Sequence, residues 1–144
     1  MDCAFCAILQ GRAEGVLVAE SEAAVALVDL RQAVPGHVLV LPRRHVETLF
    51  DLDEADAAGL MRLAWRVARG LRAAFAPEGL NLWQSNGEAG GQEVPHVHLH
   101  VQPRRTGDGL LRVYPGRPPP PAPRAQREAI AARIRAGLEG VGRP

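Results

Sequence analysis

Three of the chain's five histidines, His96, His98 and His100, stand two residues apart within the stretch Gln92-Glu93-Val94-Pro95-His96-Val97-His98-Leu99-His100-Val101-Gln102-Pro103-Arg104. In an extended strand, alternate side chains share a face about 6.6 Å apart. The spacing therefore predicts a strand over 94–101 with three imidazoles on one face. Val97, Leu99 and Val101 line the other face and can pack on a helix. The outer histidines would lie about 13 Å apart at Cβ, too far for one ion that bonds histidine nitrogen at about 2.1 Å. The three must then divide the labour. A neighbouring pair could chelate one metal. Alternatively one outer histidine serves a metal, the middle one catalysis and the far one substrate. A neutral imidazole is a good nucleophile near pH 7, because its ordinary pKa is about 6.5. A covalent intermediate splits one hard displacement into two easier ones.

Cys3 and Cys6 form a Cys-x-x-Cys pair, which by itself reads as metal ligands or as a redox pair. No thioredoxin-like βαβ pattern follows, which counts against the redox reading. His45 and His96 supply the remaining ligand types of a tetrahedral structural zinc site.

The run Gly91-Gln92-x-Val94-x-His96-x-His98-x-His100 followed by Pro103-Arg104 resembles the signature of the histidine triad family of nucleotide hydrolases and transferases. Upstream, Asp29, Pro35-Gly36-His37 and Pro42-Arg43-Arg44-His45 resemble the family's nucleotide-binding half. The likeness covers residues 3–109. It implies that His98 is the nucleophile, attacking the α-phosphorus to form a nucleotidyl-histidine, and that His100 contacts the phosphate. It places Gln92 beside the scissile bridge, Asp29 on the ribose hydroxyls and the Ser85-Asn86 turn on sugar and phosphate. The backbone amides near Glu93 and Val94 would hold phosphate oxygens. Members with an N-terminal Cys-x-x-Cys take the first triad histidine as a ligand, so Cys3, Cys6, His45 and His96 would hold structural zinc, and His96 would orient His98 indirectly. A purine nucleotide and a homodimer joined across the sheets are further implications. Glu93 departs from the pattern, since many members carry Ser or Thr there, and an ionised Glu cannot donate to phosphate. Gln102 departs where an apolar residue is usual.

Several residues keep two readings. His37 could reach the triad from an adjacent strand or be a hydrogen-bonded core histidine. Arg104 could clamp phosphate or cap a strand. Trp83 and Phe5 could flank a base or fill the core. Asp51, Asp53, Glu54 and Asp56 read as a solvated helix start rather than a metal site.

The elements that must position these groups follow from periodicity. Residues 3–10 predict a short helix stopped by Gly11. Val16–Ala19, Ala23–Val28, His37–Leu41 and Leu80–Trp83 predict short strands, close-spaced enough for an antiparallel meander. Residues 53–75 predict one long helix whose apolar face is Leu60, Leu63, Ala64, Val67, Leu71, Ala74 and Phe75, with Asp53 as N-cap. Asn86–Gly91 predicts a glycine-rich loop. Residues 115–123 hold six prolines and predict an extended linker, and 124–138 a last amphipathic helix. The expected architecture is a single α+β domain over 1–144. Its five-stranded antiparallel sheet carries the long helix on one face and the nucleotide pocket on the other.

Composition narrows the function further. The 144 residues carry a formal net charge of +1, 47% apolar and 4% aromatic residues. This excludes a strong field for nucleic acid or an anionic membrane and argues against a base-stacking platform. No apolar run reaches the ~20 residues of a membrane span, and the start lacks a signal-peptide pattern, so the expected location is cytoplasmic. All 17 basic residues are Arg, which removes every lysine-based mechanism. Three functions from different classes remain: a nucleotidyl hydrolase or transferase, a metal-dependent phosphohydrolase using His96 and His98, and a non-catalytic nucleotide-binding module.

Overall fold

The computed structural model describes residues 3–110 and 116–141. The chain divides into two compact units, Met1–Asp108 and Gly109–Pro144. The first contains α1 (Ala4–Leu9), β1 (Leu17–Glu20), β2 (Ala24–Val28), β3 (Val38–Pro42), α2 (Glu54–Phe75), β4 (Gly79–Trp83) and β5 (Leu99–Arg104). Two single-turn 3₁₀ segments, Leu49–Asp51 and Glu88–Gly90, join them. The strands form one antiparallel sheet in the order β1-β2-β3-β5-β4.

Both faces of the sheet's centre are covered, so β2 and β3 read as unbroken apolar runs, AVALV and VLVLP. The pleat divides them. Ala24, Ala26, Val38, Val40 and Val101 pack on Leu60, Leu63, Ala64, Val67 and Leu71 of α2. Val25, Leu27, Leu39 and Leu41 pack on Cys3 and Phe5 from α1 and its N-cap. The small residues on β2 let α2 approach closely. A Cβ at Gly59 would lie 2.7 Å from the Cβ of Ala23. Asp53 caps α2, its side chain accepting from the Asp56 amide at 2.8 Å, and Ala76 closes the helix in the left-handed region at φ 42° ahead of Pro77.

Three expectations change. Ala74 and Phe75 extend the helix but leave the core; Phe75 is 45% exposed. The Asn86–Gly91 loop contains a 3₁₀ turn. The histidine strand starts at Leu99, not Val94. Pro95 lacks a ladder donor, and the His96 amide turns back to the Val94 carbonyl at 2.8 Å while the Val97 amide goes to Val46 O at 2.7 Å. Only His100 of the triad is therefore in β5. Val97, Leu99 and Val101 nevertheless pack on the α2 side.

In the second unit, residues 116–123 carry no helix or strand, and α3 spans Arg124–Leu138. Pro115 lies outside the described residues. Ile130, Ile134 and Leu138 of α3 are exposed. Among the described residues, no helix is long and apolar enough to cross a membrane.

Candidate nucleotide site and metal centre

The triad lies on the sheet face opposite α2, beside Phe5. The Phe5 ring meets His96 and His98 edge-on, with centroids 5.7 and 5.1 Å away. His98 follows His100 at 4.9 Å. The rings thus stay in sequence even though the backbone carrying His96 and His98 is not a strand.

His98 is 6% exposed, and its Nδ1 lies 2.7 Å from the carbonyl of His96. A carbonyl can only accept, so Nδ1 carries the proton and Nε2 keeps its lone pair. The tautomer of the His98 imidazole is set by backbone.

His100 stacks on Trp83, centroids 4.1 Å apart and planes 3° from parallel. Its Nδ1 lies 2.9 Å from Nε2 of His37, and Nδ1 of His37 lies 3.7 Å from Asp29 Oδ2. Asp29, His37 and His100 thus form a line running toward the triad, with each nitrogen of His37 facing a different partner. Burial, helped by His98 and His37, lowers the His100 pKa to about 4, against a smaller opposing effect of Asp29. His100 is therefore neutral at physiological pH. Gln32, which the sequence did not single out, fastens the loop that carries Asp29 and His37. Its Nε2 donates to the carbonyls of Asp29 and His37 at 2.7 and 2.8 Å, and its Oε1 accepts from the amides of Gly36 and His37 at 2.9 and 3.2 Å. A lone Gln between Asp and Pro-Gly carries no recognisable motif.

Gln92 and Asn86 are engaged with the protein itself. Gln92 Oε1 accepts from the Gly87 amide at 2.8 Å, and Nε2 donates to the carbonyls of Glu47 and Val94 at 2.6 and 3.0 Å. Asn86 Oδ1 accepts from the Leu49 amide at 2.6 Å, and its amide pairs reciprocally with Gln84. These two side chains pin the loops around the site. Ser85 stands between Gln84 and Asn86, its carbonyl accepting from Gln84 Nε2 at 2.9 Å. Glu93 points outward to Arg31, at 3.4 Å. Val94 packs beside the α1-side core cluster. Arg104 binds Asp108 and Asn81 across β4 and β5, which is the strand-capping reading of that residue. Gln102 is buried and donates to Pro103 O at 2.9 Å.

Cys3, Cys6, His45 and His96 converge as a second cluster, their ligand atoms all within 4.8 Å of one another. Cys3 Sγ and Cys6 Sγ lie 3.4 and 3.6 Å from His96 Nδ1, and Cys6 Sγ lies 3.3 Å from His45 Nδ1. A tetrahedral ion with Zn–S near 2.3 Å and Zn–N near 2.1 Å has S···N edges of about 3.6 Å. The donor set fits zinc. His96 Nε2 lies 3.0 Å from Pro42 O, so it carries the proton and leaves Nδ1 free to ligate. Burial holds the His96 pKa below the ordinary histidine range, keeping the ring neutral as a ligand must be. Burial and neighbouring Cys3 push the Cys6 thiol up; a bound divalent cation reverses that logic.

A family model described as the HIT domain matches residues 10–107. Among relatives, "Protein hit" of Bacillus subtilis (strain 168) is 37% identical over 114 residues, 78% of this chain and 79% of that protein. "Adenosine 5'-monophosphoramidase hnt1" of Schizosaccharomyces pombe is 32% identical over 137 residues, 94% of this chain and 100% of that protein. A solved HIT family protein from Bacillus anthracis superposes with a TM-score of 0.87 at 31% identity, covering 94% of this chain and 96% of that one. A zinc-bound histidine triad family protein from Mycobacterium smegmatis superposes with a TM-score of 0.72 at 34% identity, covering 95% and 98%. With its sheet, its three spaced histidines and these likenesses, the chain belongs to the HIT family.

Proposed function

We propose that the chain is a nucleotidyl hydrolase or transferase in which His98 Nε2 attacks the α-phosphorus of a nucleoside monophosphate joined to a leaving group. The observation that carries this reading is the 2.7 Å contact between His98 Nδ1 and the His96 carbonyl, which leaves Nε2 as a lone pair. The N–P bond forms as the bond to the leaving group breaks, and the leaving group departs with a proton. Water, or another acceptor hydroxyl, then attacks the nucleotidyl-histidine and releases the nucleoside monophosphate. His100, held at Nδ1 by His37, stands beside the phosphate, and loop amides near Glu93 and Val94 donate to the phosphate oxygens. Asp29 Oδ2 is the acceptor for ribose hydroxyls. The likeness to a monophosphoramidase supports a nucleotide with a nitrogen-linked leaving group.

In this reading Cys3, Cys6, His45 and His96 hold structural zinc, which when bound ties the N-terminal segment to the residue whose carbonyl orients His98. The ligand is a purine nucleotide and the working unit a cytoplasmic homodimer; β4, at one edge of the sheet, offers an unpaired ladder for a second copy.

Brief mixing with a nucleoside phosphoramidate or a dinucleoside polyphosphate, a quench without strong acid and intact-mass analysis test the chemistry. One nucleotidyl adduct mapping to His98 is expected. Turnover without an adduct, abolished by a chelator while the fold persists, would instead establish a metal-dependent phosphohydrolase. Binding with no turnover of either substrate would establish a binding module.

A further inference from the structure

A second cavity lies on the other side of the sheet. It is a groove of about 550 Å³ between the C-terminal half of α2 and the β1–β2 edge, within the range of small-molecule sites, about 300–1,000 Å³. The sheet separates it from the triad, so it is not the nucleotide pocket. Two local features open it. The register of β1 on β2 slips between Leu17 and Ala19, where two residues of β1 pass one of β2. Such a bulge re-aims a side chain, and Val18 and Ala19, neighbours in sequence, both line the groove. On the helix side stands Gly70, inside α2, where glycine costs stability relative to alanine. No neighbour demands it: a Cβ there would meet nothing within 4 Å. The space left by the missing side chain belongs to the groove. Phe75, which leaves the core, also lines it.

The walls are almost wholly apolar. Among the described residues, Gln32 and Arg66 are the only polar side chains that line the groove. The Gln32 amide is committed to the backbone of the 29–37 loop. Arg66 makes no hydrogen bond or ion pair among the described residues, and no carboxylate lines the groove beside it. The complement of these walls is therefore an aliphatic body with one anionic end. A nucleotide would find no partners for its base or sugar. A phosphate monoester carries more charge than one guanidinium balances. A carboxylate matches that charge and can pair with arginine through two parallel hydrogen bonds.

We propose that this groove binds a single-chain aliphatic carboxylate, with its hydrocarbon body along Val18, Gly70 and Ala74 and its head on Arg66. The site is independent of the nucleotidyl-transfer reading above.

Calorimetric titration of the full-length protein with dodecanoate, kept below its micelle-forming concentration, tests it. One saturable site per chain is expected, weakening about two- to fourfold for each methylene removed in decanoate and octanoate. Arg66→Gln weakens dodecanoate about two- to fivefold and tightens dodecyltrimethylammonium, because the exposed charge now repels neither head. Gly70→Leu places a side chain in the groove and abolishes binding. Leucine is the better helix former, so this variant melts no lower than wild type, which separates loss of the site from loss of the fold. No saturable binding by folded wild type, unchanged binding in Gly70→Leu, or equal affinity of wild type for the carboxylate and the ammonium overturns the inference. A change of oligomeric state in Gly70→Leu, seen by light scattering, also overturns it, since a second copy would then fill the groove.

Discussion

Acid should weaken this protein in a way that traces to one ring. His100 is neutral because burial and its neighbours His98 and His37 lower its pKa from 6.5 to about 4. In the unfolded chain the same group titrates near 6.5. Between these values the unfolded state binds a proton that the native state does not, so stability rises with pH across the window and falls as pH drops through it. The shift is about 2.5 units (6.5 minus about 4), which at about 1.4 kcal/mol per unit caps the loss at about 3.5 kcal/mol. His100 keeps some solvent contact, so about 2 kcal/mol is the working figure. The assay is urea unfolding of wild type and His100→Gln at several pH values from 7 to 4. Groups remote from residue 100 are common to both proteins and cancel in the difference. The advantage of wild type over His100→Gln should shrink by about 2 kcal/mol on going from pH 7 to pH 4. A difference independent of pH would show that His100 is not held neutral, and would refute the neutral ring on which the proposed phosphate contact rests. Nuclear magnetic resonance titration of the His100 ring gives the same answer directly, with a midpoint well below that of a free histidine.

Three further outcomes are expected. His98→Ala should lose turnover by about a thousandfold or more while binding nucleotide and keeping a cooperative melt; substantial residual turnover would remove the covalent route. Gly36→Ala should cost about 2–4 kcal/mol in urea unfolding. Its φ is +108°, and the added Cβ would lie 2.9 Å from Leu71 Cδ2 and 3.0 Å from Pro103 Cγ. An unchanged midpoint would mean that this turn is not packed as described. Cys6→Ser should reduce zinc content measured on the purified protein and lower the thermal midpoint; unchanged zinc content would exclude the four-residue site.

Most of the scaffold was legible because it obeys simple periods. Leu60, Leu63, Ala64, Val67 and Leu71 recur at helical spacing behind a capping Asp53, and the structure buries all five apolar residues. β2 and β3 announced themselves as unbroken apolar runs between turn residues. The histidine stretch misled because its alternation is that of a strand while its hydrogen bonds are not. Pro95 and the His96 turn take residues 94–98 out of the ladder, and the alternation serves the site instead. The grouping of Cys3 with His96 could be inferred only from ligand types, since 93 residues separate them. The stack of Trp83 on His100 and the line from Asp29 through His37 depend on β4 and β3 flanking β5, a register that no local pattern encodes. Gln32 was not singled out at all, and for Gln92 and Asn86 the resemblance implied substrate contacts and not the loop-pinning hydrogen bonds they make. An amide side chain that satisfies several backbone groups of a loop looks, in sequence, like any other polar residue.

The cysteine–histidine cluster also orders events in time. Cys3 and Cys6 stand far in sequence from the residues that complete their cluster, His45 and His96, and His96 is aimed only once the turn before β5 has formed. Contacts separated by so much chain are late to form during folding. The sheet and α2 can assemble before α1 docks, and until then both thiols remain available to solvent. Convergence of the four side chains then requires the last strand to be in register, which makes docking of the α1 segment a late step in assembly.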